Sequence, residues 1–329
     1  MKPRIICYVA GKSGGHIIPA LTLAQETVQE HPETKILFFS TDTRLDRSII
    51  NNYSCIDFYT TLSLGNFPRK HIIGYPRFMV QFFISLCISM YTLIRYKPEK
   101  IISMGGYVSI PVCVAGFLLR IPVEAYELNV VPGAAIKLIC KWAQKIFICF
   151  PSTQDYFKKK CYHVDYPVRF KERISRDQAR GALGLDQNKK TLLVLGGSQG
   201  SRALNELMKR YTQSQRENLV ILHQTGERDV EAMRAYYQTV AITADVFAYR
   251  QNLDIYYAAA DIIIARAGAG TLFEIKFFQK RAIIIPLEVA TTKHQVDNAN
   301  AMAQLCPDLF TIIRQCSLEQ SPNIFINSL

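Results

Sequence analysis

The 329-residue sequence lacks the patterns that would place a metal or a triphosphate in it. It has no DxD and no His/Cys/carboxylate cluster at metal-ligand spacing, so the expectation is a site without metal or other cofactor. No GxxxxGK[ST] occurs, which excludes a P-loop nucleotidase. No CxxC pair occurs among the nine cysteines, an odd number, at 7, 55, 87, 113, 140, 149, 161, 306 and 316. They read as buried free thiols of a reducing compartment, not as a disulfide framework. Acidic residues are scarce: 27 Asp and Glu face 39 Lys and Arg, leaving a net charge of +12. That imbalance favours an anionic partner and leaves nucleic acid, acidic lipid and phosphorylated substrate all open. No export signal is expected, because the short apolar run in MKPRIICYVAGKSGGH passes straight into a glycine loop and reads as a first strand.

What is present is an ordinary globular balance, 49% hydrophobic and 20% charged, in a chain long enough for two domains. A hydrophobic strand, a glycine turn and a helix follow one another twice. The first set is IICYVA (5–10), GKSGGH (11–16) and a helical run from Pro19; the second is TLLVL (191–195), GGSQGSR (196–202) and ALNELMKR. Further apolar runs at 35–40, 100–104, 145–150, 219–223, 261–265 and 282–286 suit buried parallel strands. The alternation predicts an α/β chain of two Rossmann-like, doubly wound parallel-sheet domains facing across a cleft. The boundary is expected near the Y-P-V-R turn at 166–169, giving domains 1–168 and 169–329.

Residues 78–94 (FMVQFFISLCISMYTLI) carry no charge and are 17 long, the lower edge of a membrane span. Gln81, Ser85, Ser89 and Thr92 fall on one helical face, so an apolar amphipathic helix is the better reading. Its flanks hold Arg69, Lys70, Arg77, Arg95, Lys97 and Lys100 against the single acid Glu99. Such a helix packs into a core or docks on an anionic leaflet, and can do both with different faces. Phe78, Met79, Phe82, Phe83 and Leu86 are the candidate membrane patch.

Four glycine-bearing loops are expected at strand ends: 11–16, 104–107 (MGGY), 196–202 and 266–271 (RAGAGT). Helix N-termini there offer free N–H groups and partial positive charge, which suits phosphate. A dinucleotide fingerprint fails, because Ser13 stands where GxGxxG needs its second glycine. Asp42, after the second strand, keeps a ribose-binding dehydrogenase only as an outside reading.

The segments GKSGGHIIPA, SMGGYVSIP (103–111), YPVR, GGSQGSR, HQTG (223–226), RAGAGTLFE (266–274) and KHQVDNA (293–299), in this order, resemble the MurG family. These are the N-acetylglucosaminyltransferases of the lipid-linked stage of peptidoglycan synthesis. The resemblance runs from residue 5 to about 300. It implies a GT-B fold with an N-terminal acceptor domain and a C-terminal donor domain, and inverting transfer of N-acetylglucosamine from UDP-N-acetylglucosamine to lipid I, the undecaprenyl-pyrophosphoryl-muramyl-peptide, giving lipid II. The implied place is peripheral, on the cytoplasmic face of the bacterial inner membrane, with anionic lipids and not nucleic acid as the further partner. His16 becomes the candidate base. Ser13, Gly14, Gly15, Gly105, Gly106, Tyr107 and Asn129 become acceptor or pyrophosphate contacts. Arg169, Ser198, Gln199, Gly268, Thr271, Glu274, His294 and Gln295 become donor contacts, Glu274 on the ribose and Gln295 with His294 on the sugar. Arg202 reads either as a further donor-side contact or as part of a solvated helix face, and Asn298 reads as structural. The chain departs from the family at Lys12, where glycine is usual, at Tyr126 and Leu128 inside YELN, and at Tyr166, departures that fall on the acceptor side. A related GT-B enzyme, such as a lipid galactosyltransferase or a UDP-sugar epimerase, and a non-catalytic UDP-sugar-binding membrane protein are the alternatives. The tail after Cys316 is unplaced, and in the family the last helix returns to the first domain.

Overall fold

The computed structural model describes residues 3–65, 67, 74–197, 199–215, 217–250, 252–288, 294–320 and 324–325. Its contacts divide the chain into two compact units, Met1–Arg169 and Phe170–Leu329.

The first unit runs β1 (Ile5–Val9), α1 (Gly14–Glu30), β2 (Lys35–Thr41), α2 (Arg44–Ile50), β3 (Phe58–Leu62), α3 (Gly74–Tyr96), β4 (Lys100–Ser103), α4 (Ser109–Leu118), β5 (Val123–Glu127), α5 (Ala134–Ile139), β6 (Lys145–Ile148) and β7 (Tyr162–His163). The strands form one sheet in the order β3-β2-β1-β4-β5-β6-β7, and every pairing is parallel. Cys7, Val9, Leu37, Ile101, Val123 and Ile146 of the central strands pack with Val112, Cys113, Ile136 and Ile139 of α4 and α5. Because both faces of these strands are covered, they read as unbroken apolar runs. Strand order reverses beside β1, so the loops after β1 and β4 open at a topological switch point.

α3 turns its polar stripe inward. Ser85, Ser89 and Thr92 are buried with Leu93, and the Ser89 hydroxyl donates back to the Ser85 carbonyl at 2.7 Å. Met79, Val80, Phe83, Ile84, Ile88, Tyr91 and Ile94 face outward, and only 22% of its most apolar 18-residue window is buried. By length and composition α3 could cross a membrane. Small hydroxyl side chains bonded to their own helix allow close packing, so the polar stripe is the one that seals against the protein. Met79 and Phe83 are exposed, Phe78 and Phe82 are half-buried, and Leu86 packs on the first core. Arg69 and Lys70 lie outside the described residues.

The second unit runs α6 (Arg176–Ala182), β8 (Lys190–Leu195), α7 (Arg202–Ser214), β9 (Leu219–Gln224), α8 (Val230–Thr239), β10 (Thr243–Phe247), α9 (Asp254–Ala259), β11 (Ile262–Ala265), α10 (Ala269–Phe278), β12 (Arg281–Ile284), α11 (His294–Leu305), β13 (Phe310–Ile312) and α12 (Gln315–Gln320). Its parallel sheet has the order β10-β9-β8-β11-β12-β13. At the strands' entry ends, the fully buried Arg180 donates to the carbonyls of Ala259, Gln187 and Lys189 and pairs with Asp261 at 2.5 Å. After Cys316 the described tail stays with this unit: Phe325 is buried in its core, edge-on to Tyr211.

All nine cysteines are free, but not all are buried: Cys55 and Cys306 are half-buried, and Cys87 and Cys316 are exposed.

β9 carries a fully buried histidine. His223 Nδ1 lies 2.8 Å from the Tyr237 hydroxyl, and burial pulls the ring's pKa down to about 3. An unfolded histidine titrates near 6.5. Between these values the unfolded chain binds the extra proton, so stability rises with pH there. Lowering the pH from 7 to 5 should cost the second unit about 2 kcal/mol, with further loss toward pH 3. Denaturant midpoints across that range should flatten in His223→Gln, and an unchanged slope would exclude His223 as the cause.

Candidate active site

In the first unit three loops leave the carboxyl ends of β1, β4 and β5. The β1 loop turns sharply: Lys12 has φ 67°, Ser13 is extended at the N-cap of α1, and Gly14, Gly15 and His16 form the first helical turn. Ser13 makes no side-chain cap and the first turn holds no acid, so the dipole end is left to a ligand's negative charge. The β4 loop comes close. Gly105 has φ 87°, and a Cβ there would meet Ile136 at 2.9 Å and His16 Cε1 at 3.9 Å. Only glycine fits, because of the positive φ and the press on Ile136, and the His16 imidazole lies close by. Ser109 anchors this loop from α4 by donating to the Gly105 carbonyl at 2.5 Å. Gly106 and Tyr107 follow, both half-buried.

The β5 loop is organised by Glu127, buried to 3% exposure. Its carboxylate accepts from the Asn129 N–H at 2.9 Å, the Asn129 side chain at 3.2 Å and the Gly133 N–H at 2.9 Å. Burial raises its pKa, and the N–H donors from Asn129 and Gly133 oppose that shift. Asn129 is therefore held beside the other two loops' strands, half-exposed. Tyr126 and Leu128, the departures in this loop, are taken up by packing. Tyr126 stacks on Phe147 at 4.5 Å, and Leu128 is 2% exposed.

In the second unit the loops after β8 and β9 interlock. A Cβ on Gly200 would lie 1.9 Å from the Thr225 carbonyl oxygen, and one on Gly226 would lie 2.5 Å from that of Gln199. The Gln224 side chain donates to the Gly197 carbonyl at 2.6 Å, closing the β8 loop from below. Gln199 and Arg202 are exposed at its rim, while Ser198 lies outside the described residues. Ser201 caps α7 by accepting from Leu204 N–H.

Arg266, to which the sequence reading gave no role, ties this region together. It is 9% exposed and donates to Ser201 Oγ at 3.0 Å, the Ile285 carbonyl at 3.0 Å and Gln315 Oε1 at 3.1 Å. Burial lowers its pKa and Glu288 opposes that. The available signal was an arginine directly after a buried strand, where an apolar residue would continue the run. Beyond it, Gly268 is the N-cap of α10 without a side-chain cap, and Thr271 lies in the first turn, half-buried. Glu274 is 9% exposed, so it is no solvated helix acid, and it accepts from the Tyr257 hydroxyl at 2.8 Å. His294 begins α11, and burial lowers its pKa against the pull of Asp297. Gln295 Oε1 accepts from Leu287 N–H at 2.9 Å, which orients its amide nitrogen away from that strand end. Asn298 is fully buried with its side chain 3.5 Å from the Ala267 carbonyl. Arg169 closes the first unit, half-buried. Asp42 sits at the surface in an ion pair with Arg47, which removes it as a ribose acid.

Two parallel-sheet units whose glycine loops feed helix N-termini are a fold class that binds nucleotides at its strand ends. Residues 6–148 match the glycosyltransferase family 28 N-terminal domain and residues 191–313 the family 28 C-terminal domain. The chain is 31% identical over 304 residues to the UDP-N-acetylglucosamine--N-acetylmuramyl-(pentapeptide) pyrophosphoryl-undecaprenol N-acetylglucosamine transferase of Thermodesulfovibrio yellowstonii, covering 90% of this chain and 82% of the relative. It is 30% identical over 340 residues to the protein of that name from Protochlamydia amoebophila, covering 97% and 85%. The crystal structure of Acinetobacter baumannii MurG superposes with a TM-score of 0.75 at 25% identity, covering 99% of this chain and 91% of that one. The chain belongs to the family of these N-acetylglucosamine transferases, and is a glycosyltransferase of the GT-B fold.

Proposed function

We propose that this chain transfers N-acetylglucosamine from UDP-N-acetylglucosamine to lipid I with inversion, forming lipid II, at the cytoplasmic face of a bacterial inner membrane. The observation that carries the reading is the presence, in one chain of this family, of two sets of strand-end glycine loops that open on helix N-termini, a geometry suited to anions. The first unit takes the acceptor. Ser13, Gly14, Gly15, Gly105 and Gly106 supply backbone room and N–H groups for its diphosphate, and Tyr107 and Asn129 line its sugar. His16 removes the proton of the attacking hydroxyl as that oxygen closes on the anomeric carbon. The second unit takes the donor. The residues around Ser198 and Gln199, with Gly268 and Thr271 at α10, stabilise the departing diphosphate through N–H groups and the helix dipole. Arg169 adds positive charge, Glu274 accepts from the ribose, and His294 and Gln295 read the sugar hydroxyls. The loops and cations neutralise the diphosphate without a metal ion.

The deciding experiment measures radiolabel transfer from UDP-N-acetylglucosamine to a lipid I analogue, with EDTA present and a no-acceptor control. Product formed only with acceptor supports the reading. Labelled sugar altered without acceptor would point to an epimerase, and UDP binding without product to a non-catalytic protein.

The outward face of α3 supports association with an anionic leaflet, with Arg77, Arg95 and Lys97 at its ends. Replacing Phe83 and Ile84 together by glutamate should weaken sedimentation with phosphatidylglycerol vesicles by about tenfold or more. Transfer to a short-chain, water-soluble acceptor should be retained. Undiminished vesicle binding would remove α3 as the contact.

A further inference from the structure

Asp46 was not singled out by any motif, yet it is fully buried directly beneath the first glycine loop. Its Oδ2 accepts from the Thr41 N–H at 3.1 Å and from the Thr41 hydroxyl, and its Oδ1 accepts from the Thr43 hydroxyl at 2.6 Å. Both oxygens face the Lys12 backbone N–H, at 3.2 and 3.1 Å. A Cβ on Gly11 would come 3.1 Å from the same Oδ2, so loop and carboxylate are in packing contact. Lys12 has φ 67°, a left-handed backbone that glycine adopts freely and a residue with a β-carbon resists. Such a conformation persists only where the surroundings over-determine it. Here the carboxylate reaches from α2 to the amide of the strained residue and helps to fix it.

We infer that Asp46 is a positioning residue for transfer: it holds the Lys12 amide so that residues 11–13 keep the turn presenting Ser13, Gly14, Gly15 and His16 to the acceptor. A carboxylate is required because every neighbour named is a donor. An amide would set its own NH2 against at least one of them. Glycine at position 12 would hold the turn with less help, so the need for Asp46 is tied to the side chain at 12. This inference rests on the assignment of the loop to the acceptor.

The test compares full-length wild type, Asp46→Asn, Lys12→Gly and the double variant. Initial rates are taken against a short-chain lipid I analogue at saturating UDP-N-acetylglucosamine, with UDP affinity by calorimetry and thermal midpoints. Asp46→Asn should lower kcat/KM for the acceptor by about tenfold to a hundredfold. UDP affinity should stay within about twofold, since the donor loops belong to the other unit. Lys12→Gly in the same background should recover most of the loss, and Lys12→Gly alone should raise the thermal midpoint by about 2 °C. An unaffected Asp46→Asn, an equal loss of UDP affinity, or a double variant without recovery overturns the inference while the transferase reading stands. A midpoint lowered by Lys12→Gly also overturns it, and that measurement holds even if Asp46→Asn does not fold. A wild type that transfers nothing defeats the proposed function and this inference together.

Discussion

Alanine at position 16 should slow sugar transfer by about 10²-fold or more while leaving UDP affinity nearly unchanged. The expectation follows from placement. His16 sits in the first turn of α1 with its ring against Gly105, so one imidazole borders the loops from β1 and β4. A positioned base acts on the barrier and not on the donor's ground-state binding, so the loss should appear in kcat at saturating donor. Single-turnover rates with a lipid I analogue, beside calorimetry with UDP, separate the two. A variant at full rate removes His16 from the role of base.

On the ribose role proposed for it, loss of the Glu274 charge should weaken UDP-N-acetylglucosamine binding by about tenfold or more, since hydrogen bonds from hydroxyls to a carboxylate are charge-assisted. Alanine is a poor probe alone, since it would strand the buried Tyr257 hydroxyl that Glu274 accepts from. Glu274→Gln keeps an acceptor for Tyr257 and removes the charge. Tyr257→Phe removes the hydroxyl and keeps the carboxylate. Calorimetric affinity should fall in the first and hold in the second to within about threefold, as one neutral hydrogen bond is worth little net. Equal affinity in Glu274→Gln and wild type would refute the ribose role.

The central strands were legible because burial on both faces leaves short apolar runs, and their place beside glycine turns, alternating with helical stretches, marks them as strands. KILFFS became β2, TLLVL became β8 and DIIIA became β11. The strands without such runs were missed. β3 (FYTTL) and β10 (TADVF) are sheet edges, and β7 is two residues long. β5 (VEAYE) is internal, but its two acids disguise it: Glu124 is buried in an ion pair with Lys100 at 2.8 Å, and Glu127 is consumed by its own loop. Periodicity found the polar stripe of α3 and could not say which way it faced, because that depends on how closely α4 approaches. Motif spacing led to Asp42, the first acid after β2, whereas the fold buries Asp46. Arg266 and Gln224 escaped for a related reason. Their work is done across strands, on Ser201 and Gly197, and no local pattern records a partner far away in sequence.

Chains fold from the N-terminus as they are made. Residues 74–96 therefore leave the ribosome before any residue of the second unit has been added. The first unit has its own core, so α3 can close its serine stripe against α4 at that stage and turn Val80, Phe83, Ile84, Ile88 and Tyr91 to the outside. The apolar face of α3 is thus complete while the second unit is still being made, and docking through it can begin at that stage.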